Sequence, residues 1–128
     1  MTKVIILGHG EYGTLIKSNL NMLVGSIEGF YYIDFKSSDN VDILRSKIYN
    51  LIKALNNSKI LFICDVVGGT PFRESCLLAA ENNDYVVVGG LNTAGISEIA
   101  YNLTMNPKEL AELAIEAAKA SMLIYNQE

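Results

Sequence analysis

Apolar residues occur along this chain in short β-branched runs, separated by longer stretches in which they recur every three or four positions. A short run that is apolar at every position predicts a strand covered on both faces, because successive strand residues point to opposite sides of a sheet. Such strands are predicted at residues 3–8, 30–35, 59–64 and 85–88. The longer stretches predict helices at about residues 11–23, 41–56, 71–81, 93–103 and 107–121.

Strands and helices alternate along the sequence, an order typical of a parallel sheet with helices on both faces. Right-handed crossovers then predict an α/β fold with an open, doubly wound, mainly parallel four-stranded sheet of order 2-1-3-4, in which strands one and three are neighbours. A chain of 128 residues is long enough to bury about two-thirds of its surface. No linker, repeat or charge block divides it, so residues 1–128 are predicted to form one domain.

The charge distribution argues against two classes of binding partner. Ten lysines and arginines oppose 14 aspartates and glutamates, and no two basic residues are adjacent. A surface that binds nucleic acid or anionic lipid is therefore not expected. Mean hydropathy is +0.24, but each apolar run is far shorter than the roughly 20 residues that span a bilayer. The few apolar residues before Gly8 are too brief for a signal-peptide core, and we expect a cytoplasmic protein.

The two cysteines are expected to be reduced. Cys64 lies in an apolar strand and Cys76 in a helical stretch. Because disulfides are rare in the cytosol, we expect two buried free thiols.

Candidate chemistry lies at the carboxyl ends of the first and third strands, where open parallel sheets bind their ligands. Gly8-His9-Gly10 follows the first strand and holds the only histidine, with glycines on both sides that let another molecule approach the ring. Asp65 ends the third strand, where a carboxylate is costly unless something pairs with it. If the strands are neighbours, Asp65 can hold the Nδ1–H of His9 and leave Nε2 as a free nucleophile. The alternatives are a structural or merely exposed histidine and an aspartate that caps the following loop.

The turn after the third strand has the features of an anion-binding turn. Gly68-Gly69-Thr70-Pro71 opens the third helix, with Thr70 expected as the N-cap and Pro71 in the first turn. Backbone N–H groups at such a helix start attract an anion. Together with the imidazole and the carboxylate, this turn predicts a site that accepts and donates a phosphoryl group. The residues expected to bind the phosphoryl oxygens are Gly10, Gly68, Gly69, Thr70 and Phe72.

Other site chemistries do not fit the sequence. One histidine and two separated cysteines cannot supply the four ligands of a zinc site, so no metal is expected. No Walker lysine motif occurs, and the glycines after the first strand lack the dinucleotide-binding spacing. A serine-hydrolase elbow of the form GxSxG is also missing. We therefore expect no cofactor.

Both turns are similar to those of a known family. An apolar strand leads into His9-Gly10, Gly25 ends the first helical region, and the third strand leads into the stretch DVVGGTPF that begins at Asp65. Over essentially its full length, the chain resembles the mannose-family enzyme IIA components of the bacterial phosphoenolpyruvate-dependent sugar phosphotransferase system. The segment GGLN from Gly89 resembles the family's Gly-x-Asn segment, but the chain continues with TAGI where the family usually has Pro-Met.

The resemblance implies a phosphotransferase that relays a phosphoryl group. The histidine phosphocarrier protein HPr would phosphorylate His9, and His9 would pass the group to an enzyme IIB, from which it reaches a sugar entering through membrane permease components. The resemblance also implies a homodimer in which each subunit lends a C-terminal antiparallel strand to the other. The candidate for that strand is the apolar run Met122, Leu123, Ile124 and Tyr125, which could alternatively form a final helical turn.

Two other functions remain open on the sequence. The phosphoryl-donor subunit of a dihydroxyacetone kinase shares the architecture and a nucleophilic histidine, although the GGTP stretch favours the sugar phosphotransferase component. A flavodoxin-like binding module without chemistry is the second alternative. It predicts no phosphohistidine, so a phosphorylation assay separates it from a relay.

Overall fold

In the computed structural model, which describes residues 1–127, strands and helices alternate as the apolar pattern predicts. The strands are β1 (Lys3–His9), β2 (Phe30–Phe35), β3 (Ile60–Cys64) and β4 (Tyr85–Gly89). The helices are α1 (Tyr12–Val24), α2 (Val41–Leu55), α3 (Thr70–Ala79), α4 (Thr93–Glu98) and α5 (Pro107–Ala120). Within the described residues, no helix combines the length and the apolarity needed to cross a membrane.

The sheet has the predicted topology. Its strands are parallel and lie in the order β2-β1-β3-β4, so β1 is flanked by β2 and β3. The register pairs Leu7 on β1 with Cys64 on β3. One residue further along each strand, the chain reaches Gly8 and Asp65. The two strand ends that carry the candidate chemistry therefore lie side by side at the carboxyl edge of the sheet.

Helices cover both faces of the sheet, because its two central strands are apolar at almost every position. On one face, α1, α4 and α5 pack against a layer that includes Val4, Ile6, Leu20, Leu61, Ile63, Ile96 and Leu110. On the other face, α2 and α3 pack against a layer that includes Ile5, Leu7, Leu44, Ile48, Phe62 and Phe72. Each fully buried aliphatic or aromatic side chain stabilises the fold by at most about 1.5–3 kcal/mol. Together these side chains hold the strands, and therefore the strand ends, in place.

Asparagine caps begin α2, α4 and α5. Asn40 Oδ1 accepts a hydrogen bond from the Ile43 amide at 2.9 Å at the start of α2. A capping box opens α5, in which Asn106 accepts from the Glu109 amide and the Glu109 carboxylate accepts from the Asn106 amide. Each cap satisfies first-turn N–H groups and contributes about 1 kcal/mol.

The TAGI segment after β4 forms the start of α4. Asn92 caps this helix by accepting from the Gly95 amide at 2.9 Å. Gly95 lies so close to α5 that an added methyl group would be 2.6 Å from the Ala114 carbonyl oxygen. Asn92 Nδ2 also donates to Ser121 Oγ at 2.9 Å, which holds the end of α5 beside the loop that follows β4.

The structure corrects two predicted helix boundaries. Thr70 is not the N-cap of α3, because Gly69 adopts the extended cap conformation and Thr70 is already the first helical residue. The fourth helix ends at Glu98 rather than near Leu103. The chain turns back there, since the Leu103 carbonyl accepts from the Thr2 amide at 2.8 Å.

The second cysteine differs from expectation, and the C-terminal run has no regular structure within the single chain. Residues 122–127 form neither a strand nor a helical turn in this chain. Leu123 and Ile124 are 81% and 91% exposed, so the apolar run has no cover within the described chain. Both cysteines are free, as predicted, but only Cys64 is buried, and Cys76 is half-buried.

Candidate functional site

His9 is the last residue of β1, and its ring lies at the carboxyl edge of the sheet. Asp65 Oδ2 is 2.7 Å from the ring Nδ1 of His9 and accepts a second hydrogen bond, at 3.0 Å, from the His9 backbone amide. One carboxylate oxygen therefore fixes both the backbone and the ring. The side chain of His9 is 47% exposed and that of Asp65 is 14% exposed, so the ring faces solvent and the carboxylate lies beneath it.

The Asp65 carboxylate is held in its charged form. Burial by itself would raise the pKa of Asp65, but the hydrogen bonds from the His9 amide and ring, the charge of His9 and the Val66 amide together lower it below the ordinary value. Among the described residues, Asp65 Oδ1 is buried and has no partner in hydrogen-bond geometry, although the Val66 amide is near enough to help lower the pKa of the carboxyl group. A charged Asp65 accepts only, so the His9 Nδ1 it contacts carries the proton.

The free nitrogen of His9 lies next to the start of α3. A methyl group at Gly69 would be 2.6 Å from His9 Cε1 and 3.3 Å from Nε2, so the ring fits only because this residue is a glycine. Gly69 is the N-cap of α3, and the amides of Thr70 and Phe72 belong to its first turn, where no helical acceptor is available. The Thr70 hydroxyl makes no hydrogen bond within the described chain. An anion on Nε2 would therefore meet unused donors.

Gly10 and Gly68 contribute turns rather than contacts with the ring. Gly10 has a φ of 65° and Gly68 a φ of 88°, both in the left-handed region that favours glycine. The Gly10 amide donates to the Phe35 carbonyl at 2.7 Å, which ties the end of β1 to β2. This amide, predicted to bind phosphoryl oxygens, is thus already engaged. The Phe35 ring lies beside the imidazole, with ring centroids 5.9 Å apart.

Two residues near the site carry no motif signal. Tyr12, the first residue of α1, packs against Gly8 and lies close to Asp65. Asp34 on β2 accepts from the Thr14 amide at 2.9 Å and from the Thr14 hydroxyl, which fixes the first turn of α1. Sequence reasoning missed both, because their roles depend on which helix turn meets which strand end. The polar Asp34 inside the otherwise apolar second strand was the only available signal.

The remaining groups near the site limit its chemistry. Burial raises the pKa of the Cys64 thiol to about 12, so this neighbour of Asp65 stays protonated and is a poor nucleophile. No group of three histidine, cysteine or acidic side chains in residues 1–127 could hold a metal ion.

Val66 and Val67 are 49% and 68% exposed and form an apolar rim on the turn after β3. The arrangement suits a nucleophilic imidazole that works on a partner's anionic group.

Comparisons with known proteins support this interpretation. A family model described as PTS system fructose IIA component, EIIA-man, matches residues 3–117. The chain is 29% identical over 123 residues to the PTS system mannose-specific EIIAB component of Escherichia coli strain K12; the match covers 93% of this chain and 38% of that protein. The chain therefore spans about two-fifths of the length of that relative. It is 26% identical over 100 residues to the PTS system fructose-specific EIIA component of Bacillus subtilis, covering 77% of this chain and 68% of that protein.

Solved structures give the same result. The phosphotransferase system component EIIA from Streptococcus agalactiae superposes with a TM-score of 0.87 at 27% identity, covering 97% of each chain. The mannose/sorbose specific IIA subunit from Enterococcus faecalis has a TM-score of 0.90 at 23% identity, covering 99% of this chain and 96% of that one, and supports the fold alone. Because the family model matches most of the sequence, the chain belongs to the EIIA-man family of phosphotransferase system IIA components.

Proposed function

We propose that this protein is a phosphoryl carrier in sugar uptake, which accepts a phosphoryl group from HPr on His9 Nε2 and passes it to an enzyme IIB in the cytoplasm. The observation that carries the proposal is the arrangement of the ring. Nδ1 lies 2.7 Å from Asp65, while the Nε2 side of the ring lies against the start of α3. Family membership supports the same reaction class.

In the proposed reaction, the phosphoryl group moves directly from the donor histidine to His9. Nε2 of neutral His9 attacks the phosphorus of the donor phosphohistidine, and the P–N bond to the donor breaks as the new P–N bond forms. The electron pair of the broken bond returns to the donor imidazole. The Nδ1 proton stays in place, where the Asp65 carboxylate stabilises the positive charge that develops on the ring. Transfer to the enzyme IIB reverses these steps with a new acceptor.

The start of α3 would hold the phosphoryl oxygens during both steps. The amides of Gly68, Gly69, Thr70 and Phe72 and the Thr70 hydroxyl are the proposed donors, and the positive end of the helix dipole favours the anion. Pro71 has no N–H group, and the Gly10 amide is already bonded to Phe35. We therefore assign Gly10 the turn rather than a phosphoryl contact.

HPr and the enzyme IIB would dock at the same apolar rim. Val66 and Val67 are exposed on the turn after β3, where Val66 and the His9 ring lie against the same side of Gly69, and apolar side chains of this kind become buried when a partner binds. One surface for both partners requires that they bind in turn, as a relay demands. Association with membrane permease components would then be indirect, through the enzyme IIB.

Transfer of radiolabelled phosphoryl from phosphorylated HPr tests the proposal. His9→Ala should take up no label, because the described chain offers no second histidine. Asp65→Asn should still accept label but up to about 10⁴-fold more slowly, since an amide no longer stabilises the charged ring or enforces the tautomer. Asp39→Asn is the matched control, because hydrogen bonds from Lys47 and Lys36 also lower the pKa of Asp39, while Asp39 makes none with His9. Label on His9→Ala would refute the proposal.

The same assay distinguishes the two alternative functions. A flavodoxin-like binding module would take up no label even as the wild-type chain. The phosphoryl-donor subunit of a dihydroxyacetone kinase would take up label but pass it to the kinase subunit rather than to an enzyme IIB. The family match favours the sugar phosphotransferase component over both.

We also propose that the protein is a homodimer joined through its C-terminal residues. Met122, Leu123, Ile124 and Tyr125 are each at least 65% exposed, a concentration of apolar surface that is unusual in a monomer. The hydrogen bond from Asn92 to Ser121 holds the residue before this run close to the loop that follows β4. The run therefore begins near the carboxyl end of β4. β4 pairs only with β3 within the described chain, so its other edge is open. A partner's apolar run added there as an antiparallel strand would cover both surfaces.

Sedimentation at micromolar concentration checks the dimer. Truncation after Ser121 should shift the protein toward monomer, because it removes the apolar run and leaves the helices intact. Leu15→Ser is the control, since this apolar residue is also exposed, at 64%, but belongs to α1 rather than to the C-terminal run. A wild-type chain that sediments only as a monomer would contradict the proposal.

A further inference from the structure

We infer that the ring of Tyr12 is a positioning element of the site, which keeps water from Asp65 so that the carboxylate interacts with His9 rather than with solvent. A methyl group at Gly8 would lie 2.6 Å from Tyr12 Cδ2 and 2.8 Å from Asp65 Cγ. The tyrosine ring and the carboxyl group therefore meet over the same bare glycine. A side chain at Gly8 would overlap both groups, so this position requires a glycine.

The contact places Tyr12 and the carboxyl carbon of Asp65 against the same point beside Gly8. His9 donates both of its hydrogen bonds to Oδ2. Oδ1 is buried within residues 1–127 and has no partner in hydrogen-bond geometry there, so surrounding atoms close it off from solvent. The aromatic ring beside the carboxyl group accounts for that dry environment. In agreement, burial and then the charge of Asp65 raise the pKa of Tyr12.

The position of the ring is fixed from two directions. Tyr12 is half-buried and packs against the apolar layer formed with α4 and α5. Asp34 holds the first turn of α1 through the amide and hydroxyl of Thr14. Gly13 lets this turn approach β2, since a methyl group there would be 2.8 Å from the Ile33 carbonyl oxygen. Tyr12 is thus part of a rigid support rather than a mobile side chain.

A dry carboxylate strengthens its interaction with His9. Electrostatic interactions weaken when water reaches a charged group, because the local dielectric constant rises. If water could bond to Oδ1, Asp65 would be stabilised without the Nδ1 proton, and the tautomer that leaves Nε2 free would be less strictly enforced. The effect belongs to the ring and not to its hydroxyl, because the atoms at Gly8 are ring carbons.

Nitrogen-15 NMR of the imidazole tests this inference directly, since the only histidine gives an unambiguous pair of ring signals. Wild type and Tyr12→Phe should show the Nδ1–H tautomer. Tyr12→Ala should move both ring signals toward those of a tautomer mixture and speed exchange of the Nδ1 proton. Ile16→Ala is the matched control, because Ile16 lies one turn later on α1 and packs on the same apolar layer without contacting Gly8. Tyr12→Leu supplies a second variant that keeps apolar volume should the alanine variant fail to fold, and it should lie between the two.

Each outcome decides the inference. Unchanged ring signals in both Tyr12→Ala and Tyr12→Leu would overturn it, as would equal changes in Ile16→Ala. A change in Tyr12→Phe as large as that in Tyr12→Ala would show that the hydroxyl acts instead. The kinetic consequence rests on the proposed function: phosphoryl transfer should fall about tenfold in Tyr12→Ala and persist in Tyr12→Phe. Because the NMR measurement needs no phosphoryl donor, its result is independent of that function.

Discussion

At the scale of single residues, the site depends on two glycines whose missing side chains leave space for other groups. Gly8 makes room for the Tyr12 ring and the Asp65 carboxyl group, and Gly69 makes room for the His9 ring. Neither has a positive φ, so each is required for space and not for backbone conformation. Their substitution should therefore act on the geometry of the imidazole more than on the turn.

Gly69→Ala should impair phosphoryl transfer by about 10–100-fold, since its methyl group would overlap His9 Cε1 and displace the ring or the helix start. The rate of label uptake from phosphorylated HPr measures the effect. Gly90→Ala is the control: its φ of 84° makes an alanine strained, but no atom lies within 4 Å of the added methyl group. The control should lose stability while keeping transfer. A Gly69→Ala variant with normal transfer would mean that the start of α3 tolerates a shift away from the ring.

The sequence predicted the central pair of this site but not its support. His9 and Asp65 could be found because a lone histidine between glycines and a carboxylate at an apolar strand end are both unusual, and parallel strands end at one edge. Tyr12 could not, because a tyrosine at the start of a helix is ordinary and its contact with Gly8 appears only when α1 is packed. Gly10 was expected to bind phosphoryl oxygens because the sequence does not reveal that its amide donates to the Phe35 carbonyl, which is a tertiary contact.

At the scale of elements, the strands were easier to predict than the helix ends. Strand ends coincide with the limits of apolar runs, which the sequence displays. Helix ends depend on caps and on neighbours. Gly69 caps α3, so Thr70 is its first residue, and α4 ends early, before the segment whose Leu103 carbonyl accepts from the Thr2 amide. The apolar run after α5 is the hardest element to predict. Its four consecutive apolar residues are compatible with a strand, a helical turn or irregular chain.

Gly95→Ala should destabilise the packing of α4 on α5. Its methyl group would lie 2.6 Å from the Ala114 carbonyl oxygen and 2.7 Å from Ala118 Cβ, so one helix must move. Overpacking of this kind costs roughly 1–3 kcal/mol, and the midpoint of urea unfolding should fall accordingly. Ala94→Ser, an exposed neighbour on the same helix, should change stability by no more than about 0.5 kcal/mol. Equal stability of Gly95→Ala and wild type would show that this helix contact is loose.

At the scale of the whole molecule, the site contributes to stability as well as to chemistry. The pKa of Asp65 is lower in the folded chain than its ordinary value of 3.8, so folding favours the charged form. This contribution is fully present above that ordinary value and is lost as the pH falls through the folded value. Urea unfolding should therefore show that the stability difference between wild type and Asp65→Asn shrinks on acidification. A difference that stays constant across that range would contradict the assignment of charge to Asp65.

The order of the strands in the sheet also has a consequence for synthesis and folding. His9 and Asp65 are 56 positions apart in the chain, because α1, β2 and α2 come between β1 and β3 in the sequence although the two strands are neighbours in the sheet. Long-range pairings form late, because the loop that joins them must first be closed. A nascent chain that has not yet emerged beyond β3 carries its histidine without the carboxylate that orients it. The reactive imidazole is therefore assembled only when the sheet is nearly complete, and unfinished chains cannot compete with folded ones for the phosphoryl donor.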